Sequence, residues 1–143
     1  MLTKLFIAWI LMALCVVVHA MGMTALLRWV GRWAARATAR YWLSTWRLVR
    51  TAGLIILLHL VEIAVWAFFY AWDHGMPDLP SAFYFSAVTY TTTGYGDLVL
   101  PNEWRLVGGV EALTGILMCG WSAAFFFAVV SRMYQARPET QRT

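Results

Sequence analysis

The chain has 143 residues, of which 62% are hydrophobic and only 13% are charged, and its formal net charge is +4. A soluble domain of this length cannot bury so large an apolar fraction, so the composition excludes an ordinary soluble fold and indicates that lipid surrounds most of the chain. Three apolar runs, over residues 5–27, 51–72 and 106–130, are long enough to cross a bilayer, since helices of that length reach roughly 33 to 38 Å.

The first run follows Lys4 and contains Val18-His19-Ala20, a combination that imitates a cleavable secretory signal. The next segment is rich in arginine and contains no acidic residue. A cleaved signal would leave that segment outside, against the positive-inside rule. The sequence therefore predicts a retained transmembrane helix over residues 1–27, with an external N-terminus, in a multi-pass protein of the cell membrane.

A basic linker is predicted over residues 28–50. Its arginines recur every four residues and are interleaved with aromatic residues, a pattern typical of a helix that lies along the cytoplasmic headgroups. Anionic lipid headgroups, rather than nucleic acid, are the partners expected for this charge. The arginines concerned are Arg28, Arg32, Arg36 and Arg40.

The second crossing helix is predicted over residues 51–72, and a short helix is predicted over residues 80–91, with Pro80 in its first turn and Asp78 as its cap. The short helix reaches only roughly 18 Å, about half a bilayer. The chain must then return to the same side before the last crossing helix, residues 105–131. The predicted fold is therefore an all-α membrane protein with three transmembrane helices and a re-entrant helix and loop between the second and third. A short cytoplasmic tail, residues 133–143, completes it.

The loop that follows the short helix, residues 92–96, reads Thr-Thr-Gly-Tyr-Gly. Irregular backbone is tolerated at membrane depth only where it is buried in protein or lines a watery cavity. Gly94 and Gly96 can take the positive φ values that turn successive carbonyls to one side. A row of carbonyl oxygens is a ligand set for a cation that has shed its water. The sequence therefore predicts a cation-binding loop that lines a pore.

The six residues from Thr92 to Asp97 resemble the filter signature of the potassium channel superfamily, usually written T-V-G-Y-G-D. The resemblance covers about residues 50–132 and implies a pore domain over residues 51–132, with K⁺ as the permeant ion and no organic cofactor. It also implies a homotetramer, and one loop per chain cannot surround an ion on physical grounds either. The ligands it implies are the carbonyls of Thr92, Thr93, Gly94 and Tyr95, together with the Thr92 hydroxyl.

Some residues around this filter depart from the usual family pattern. Thr93 stands where Val or Ile is usual, so its hydroxyl needs a partner. Phe85 stands where many members carry a tryptophan that holds the aspartate after the filter. Tyr84 or Trp104 is therefore expected to hold Asp97 instead.

Val88 stands where some members carry a supporting acid, and Glu111 is the candidate replacement, with a protonated carboxyl bonded to a neighbouring helix as the alternative. The last helix contains Gly115 and Gly120, which the resemblance makes candidates for a gating hinge, with close helix packing as the alternative. The residues expected to support the filter are Gly96, Asp97, Tyr84, Phe85 and Glu111.

The remaining polar residues suggest structural roles. His59 and Glu62 are expected to form a mutually satisfied pair, with proton sensing as the alternative, and the histidines, including His19 and His74, are expected to lie too far apart for a metal cluster. No combination of residues suggests catalysis, so an enzyme is not expected. The arginine stripe does not match the every-third-residue spacing of voltage sensors in this superfamily.

A potassium-selective channel is the function that these features favour. Two alternatives stay open at this point. One is a weakly selective monovalent cation channel, because the surroundings of the filter are altered. The other is a non-conducting regulatory membrane subunit of a potassium transport system.

Overall fold

The computed structural model describes residues 2–34, 41–73 and 75–135. The helices over these residues are α1 (Leu2–Ala34), α2 (Tyr41–Trp72), α3 (Leu79–Tyr90) and α4 (Arg105–Gln135). Three of them, α1, α2 and α4, are long and apolar enough to cross a membrane, whereas α3 has only 12 residues. The predicted all-α fold, with a short helix between the second and third spans, is therefore confirmed.

The first two helices extend beyond their predicted limits. α1 continues through Arg28 and Arg32 to Ala34, and α2 begins at Tyr41 rather than at residue 51. Residues 28–34 and 41–50 thus continue the crossing helices instead of forming a separate interfacial helix. Arginine, alanine and leucine are good helix formers, so the helical hydrogen bonding can continue beyond the end of the apolar run. The long arginine side chains can extend along the helix and place their charges at the level of the headgroups. The other two arginines of the stripe, Arg36 and Arg40, lie outside the described residues.

The short helix α3 begins with the predicted cap. Asp78 Oδ1 accepts a hydrogen bond from the Ser81 backbone N–H at 2.8 Å, and Pro80 lies in the first turn, where its missing N–H is not needed. The helix begins at Leu79 and ends at Tyr90, so both predicted bounds, 80 and 91, shift towards the N-terminus.

α3 packs against both α2 and α4, which hold it at the centre of the main apolar cluster. Trp66 and Tyr70 from α2, Phe85 and Tyr90 from α3 and Met118 from α4 belong to this cluster and are buried. These contacts fix the end of α3 relative to both neighbouring helices.

α1 packs against α2 and α4 rather than standing apart from them. At its N-terminal end, Lys4 Nζ lies 2.5 Å from Glu103 Oε2 and 4.1 Å from the centre of the Trp104 ring. Further along, a Cβ at Gly22 would lie 2.7 Å from the tip of the Leu58 side chain, which marks a close approach of α1 to α2. The first helix is therefore an integral part of the helical bundle.

Candidate functional site

The end of α3 leads directly into the filter segment, residues 92–96. The N–H groups of Thr93 and Gly94 both point back to the Val88 carbonyl, at 2.9 and 3.2 Å. These hydrogen bonds fold the start of the segment onto the last turn of α3. The negative end of the helix dipole consequently lies beside the filter segment.

The filter segment alternates in the sign of φ. Thr92, Gly94 and Gly96 have φ values of 59°, 58° and 77°, whereas Thr93 and Tyr95 between them have negative φ. Alternation of this kind turns successive carbonyls towards one side. The two glycines behave as the sequence suggested. The positive φ of Thr92 was not predicted, because a β-branched residue in this region costs about 1–3 kcal/mol and no local pattern marks it.

The filter segment is uncovered in the single chain. Residues 91–97 are all exposed, and Tyr95 is 71% exposed. No atom lies within 4 Å of where a Cβ would stand on Gly94 or Gly96. Because exposed irregular backbone is not tolerated in lipid, this surface requires either water or further protein in the membrane.

Asp97, directly after the filter segment, is held by Tyr84. The Tyr84 hydroxyl donates a hydrogen bond to Asp97 Oδ2 at 2.7 Å. This hydrogen bond favours the ionised form and holds the pKa of Asp97 below its usual value. Trp104, the other partner considered, packs edge-on against Phe69 instead.

The Thr93 hydroxyl finds its partner inside the same segment. Thr91 Oγ1 lies 2.7 Å from the Ala87 carbonyl and 2.9 Å from Thr93 Oγ1. Since Thr91 donates its proton to the carbonyl, Thr93 donates to Thr91. The hydroxyl of Thr91, two positions earlier in the chain, is therefore the partner that the Thr93 hydroxyl needs.

Phe85 lies in the core rather than beside Asp97. It is buried, and its ring stands edge-on to Tyr70 with 5.3 Å between the ring centres. Its ring also lies next to Gly108 of α4, which has no side chain: a Cβ at Gly108 would lie 3.7 Å from the Phe85 ring. Phe85 can therefore affect the filter only through the packing of α3.

Glu111 of α4 is fully buried and bonds to the two neighbouring helices. Its carboxyl oxygens lie 2.8 Å from the Tyr70 hydroxyl on α2 and 2.5 Å from Ser86 Oγ on α3. Ser86 Oγ also lies 2.9 Å from the Ile63 carbonyl, and its single proton cannot fully serve both acceptors. Every contact is satisfied if Glu111 is protonated and donates to Ser86. Glu111 thus supports the middle of α3 and does not touch residues 92–96 in this geometry.

At Gly115, α4 comes close to the main chain at the end of α3. A Cβ on Gly115 would lie 1.9 Å from the Tyr90 carbonyl oxygen and 2.8 Å from the Tyr90 carbonyl carbon. Gly120, one and a half turns further on, has nothing within 4 Å of the same position. The sequence allowed either a gating hinge or close helix packing at these glycines. The contact with Tyr90 favours close packing at Gly115, whereas Gly120 makes no such contact.

A second group of polar residues, termed the polar cluster, lies inside the bundle next to the end of α3. It comprises His19 of α1, His59 and Glu62 of α2, Tyr90 of α3 and Ser122 of α4. Four of the five side chains are buried, and His59 is half-buried. The cluster is thus a meeting point of all four helices.

Of two predictions about these residues, the pairing of His59 with Glu62 is confirmed only in part, and the separation of the histidines was wrong. His59 Nδ1 and Glu62 Oε2 are 3.7 Å apart, within ion-pair distance but too far for a hydrogen bond, so they are neighbours that do not satisfy each other's hydrogen bonds. Glu62 bonds instead to His19 at 2.8 Å, and ligand-type atoms of His19, His59 and Glu62 all lie within 4.8 Å of one another. The sequence predicted that the histidines lie far apart, but His19 and His59 are neighbours. The third histidine, His74, lies outside the described residues. The error arose because the sequence did not indicate which face of α1 meets α2.

Comparison with known proteins adds the family. The sequence profile of a family described as "Ion channel" matches residues 55–132. The human voltage-gated potassium channel regulatory subunit KCNG1 is 30% identical over 109 residues, which cover 70% of this chain and 21% of the human protein. The potassium voltage-gated channel protein Shal of Drosophila melanogaster is 39% identical over 57 residues, covering 39% of this chain and 10% of Shal.

These matches cover only part of each relative. The chain spans about a fifth of the length of KCNG1. A third relative, potassium voltage-gated channel subfamily A member 2 of Xenopus laevis, is 33% identical over 76 residues, covering 48% of this chain and 15% of the relative. No solved structure matches significantly.

Proposed function

Because the chain belongs to the potassium channel superfamily, as the match over residues 55–132 and the similar relatives show, we propose that four copies surround a central pore and pass potassium passively down its gradient. Membership of this superfamily makes the chain a channel protein rather than an enzyme. The observation that carries the proposal is the filter segment: it is exposed in one chain, and its backbone alternates in φ from Thr92 to Gly96. Four such segments around an axis cover one another and enclose a cation.

The ion's ligands in this proposal are main-chain oxygens. The end of α3 points its dipole at the axis, and four half-charges at about 8 Å with an effective dielectric of about 20 attract a monovalent cation by roughly 4 kcal/mol. That attraction does not distinguish potassium from sodium, so selection comes from the carbonyl cage. The proposed ligands are the carbonyls of Thr92, Thr93, Gly94 and Tyr95, with the Thr92 hydroxyl at the inner end.

We place the N-terminus and the filter segment on the external side of the cell membrane. The contact between Lys4 and Glu103 puts the start of α1 at the same end of the bundle as the segment before α4. Arg28 and Arg32 lie towards the other end of α1, and Arg50, above the Trp29 ring, lies there too. Positive charge marks the cytoplasmic side, where anionic headgroups are the proposed partners of these arginines.

A regulatory subunit is the second candidate, because KCNG1 is named as one. Molecular mass in detergent, combined with potassium flux from liposomes that contain only this chain, separates the two candidates. We expect a particle of four chains and a flux that requires no other protein. A stable monomer that is silent alone and assembles only with a different channel chain would contradict the proposal and favour the subunit.

Replacing Tyr84 by phenylalanine tests the support of the filter by Asp97. The substitution removes the hydrogen bond to Asp97 Oδ2, and we expect the potassium-to-sodium permeability ratio to fall several-fold, as for the loss of one charge-assisted hydrogen bond. The pKa of Asp97 is lowered in the intact protein, so the contribution of its charge is lost only as the pH falls through that lowered value. Tyr84→Phe should move this loss to higher pH.

A double variant is the control for this prediction. In an Asp97→Asn background the partner of Tyr84 is no longer a carboxylate, so adding Tyr84→Phe should change the permeability ratio much less than it does in the intact protein. Equal effects of Tyr84→Phe in both backgrounds would mean that Tyr84 acts through something other than Asp97.

A further inference from the structure

The polar cluster forms a closed circuit of hydrogen bonds. His19 Nδ1 lies 2.8 Å from Glu62 Oε1, and the other carboxyl oxygen of Glu62 accepts from the Tyr90 hydroxyl. The same Tyr90 hydroxyl oxygen lies 3.0 Å from His59 Nδ1. Ser122 Oγ completes the circuit, 3.1 Å from His59 Nε2 and 3.3 Å from His19 Nε2. Five contacts therefore join five side chains, and each contact needs one proton.

The usual ionisation states supply one proton too few. A carboxylate has none, each neutral imidazole has one, and the tyrosine and serine hydroxyls have one each. These four protons leave one of the five contacts with two facing lone pairs. Tyr90 donates to Glu62, so His59 must donate through Nδ1 to Tyr90, and His59 Nε2 is then an acceptor. His19 donates to Glu62 in the same way, and Ser122 has a single proton for two accepting nitrogens.

We propose that the polar cluster holds a fifth proton and, through it, couples α1 to the end of the pore helix α3. With the fifth proton every contact has a donor and an acceptor, whether the proton resides on Glu62 or on His19. The group is then neutral overall, since it is either fully uncharged or an imidazolium beside a carboxylate. A neutral, fully bonded group is the form that a low-dielectric interior favours.

No other charged side chain is needed to balance the cluster. Among the described residues, the titratable groups that act on it electrostatically from α1 and α4 are the thiols of Cys15 and Cys119. Both are neutral in their ordinary state near pH 7. The groups that face it from α2 and α3 are its own members His59, Glu62 and Tyr90. The net charge of the cluster is therefore set by the protons on its own members.

Tyr90 makes this circuit relevant to the filter. It is the last residue of α3, two positions before Thr92, and its main chain lies against Gly115 of α4. Its hydroxyl is held by His59 and Glu62 of α2, and these two residues are held in turn by Ser122 of α4 and His19 of α1. His19, on a helix outside the region that matches the ion-channel family, is thus a positioning residue for the filter segment.

A glutamine at position 62 tests the fifth proton. The amide of Glu62→Gln carries its own N–H donor and a carbonyl acceptor, so all five contacts are satisfied without any added proton. We expect Glu62→Gln to fold and to differ from the wild type in the pH dependence of thermal unfolding in detergent between pH 7 and 9. Over most of that range the unfolded chain holds almost none of the Glu62 and histidine protons, so the wild type binds close to one proton more when folded. Its folded-to-unfolded ratio should fall relative to that of Glu62→Gln by up to about tenfold per pH unit.

Glu103→Gln is the matched control, because it makes the same chemical change on an exposed carboxylate that bonds to Lys4 at the other end of α1. It should keep the pH dependence of the wild type. Identical pH dependence in the wild type and Glu62→Gln would overturn the proposal, and so would a Glu62→Gln protein that fails to fold while Glu103→Gln folds. This arm needs no ion conduction, so its outcome is independent of the proposed channel function.

The coupling to the filter rests on the proposed function and is tested with Tyr90→Phe. This substitution removes both contacts of the Tyr90 hydroxyl, and we expect a tetramer in which the potassium-to-sodium permeability ratio is at least about tenfold lower, because the loss of even one buried hydrogen bond can have an effect of that size. A Tyr90→Phe tetramer with wild-type selectivity would overturn the positioning role. If Tyr90→Phe does not fold, His19→Gln, which removes one link of the circuit on α1, takes its place with the same expectation.

Discussion

Substituting alanine for Gly115 should prevent the chain from forming the tetramer that we propose. The added Cβ would lie 1.9 Å from the Tyr90 carbonyl oxygen, less than any non-bonded contact permits. The atoms it meets are main-chain atoms of α3, so α3 and α4 would have to move apart. Overpacking that side chains can partly relieve typically costs about 1–3 kcal/mol, and we expect at least the upper end of this range in every subunit. Recovery of the tetrameric fraction from detergent, with its thermal midpoint, measures the effect.

Gly120→Ala and Gly109→Ala are the matched controls for this prediction. Both glycines lie on α4, and nothing stands within 4 Å of a Cβ at either position in the chain. Alanine is the better helix former by about 1 kcal/mol, so these variants should be at least as stable as the wild type if their faces are equally open in the tetramer. A Gly115→Ala protein as stable as these two would show that α3 and α4 do not meet as described.

Replacing Gly94 by alanine should remove the potassium selectivity that we propose for this chain while leaving the fold intact. Gly94 has a φ of 58° and no atom within 4 Å of its Cβ position, so the penalty comes from the backbone conformation and not from a clash. A left-handed conformation costs an alanine about 1–2 kcal/mol, and a tetramer incurs that cost four times around one ion site. The segment relaxes by rotating its carbonyls, which is the change that an ion cage tolerates least.

Two measurements separate this effect from misfolding. The mass of the Gly94→Ala particle in detergent should equal that of the wild type, while potassium flux from liposomes should fall by at least tenfold or lose its preference over sodium. Gly53→Ala, a substitution in α2 with nothing within 4 Å, should change neither quantity. Unchanged flux and unchanged cation preference in Gly94→Ala would reject the filter segment as the ion pathway.

Local chemistry was sufficient to predict the helices and several details of the site. Hydropathy and length gave the three crossing helices, because a bilayer imposes both. The carboxylate at Asp78 and the ring of Pro80 gave the start of α3, because capping depends on neighbours in the sequence. Tyr84 was one of two partners suggested for Asp97, and the structure places its hydroxyl there.

Contacts between distant parts of the chain were not predictable in the same way. Whether His19 meets Glu62 depends on how α1 rotates against α2, and both helices are apolar almost all round, so no polar face indicates the rotation. The role of Gly115 was open for a related reason: a glycine in an apolar helix looks the same whether it bends or packs. The positive φ of Thr92 arises from the turn at the end of α3, and it contradicts the local preference of threonine.

The sequence did not predict what the first helix packs against, and the structure shows its contacts. It reaches Glu103 at one end through Lys4 and the polar cluster at mid-length through His19. Removing it would take His19 away from both Glu62 and Ser122 and leave one oxygen of the Glu62 carboxyl without its partner inside the membrane, which is costly. The packed helical bundle therefore includes α1 and not only the part that matches the family.

The reversal potential of the purified chain in a planar bilayer, with unequal potassium concentrations on the two sides and sodium making up the difference, tests the central claim most directly. We expect a potential close to the potassium equilibrium potential, which moves by about 59 mV for each tenfold change in the potassium gradient. A potential that stays near zero when the potassium gradient is changed would contradict selection by the carbonyls of the filter segment.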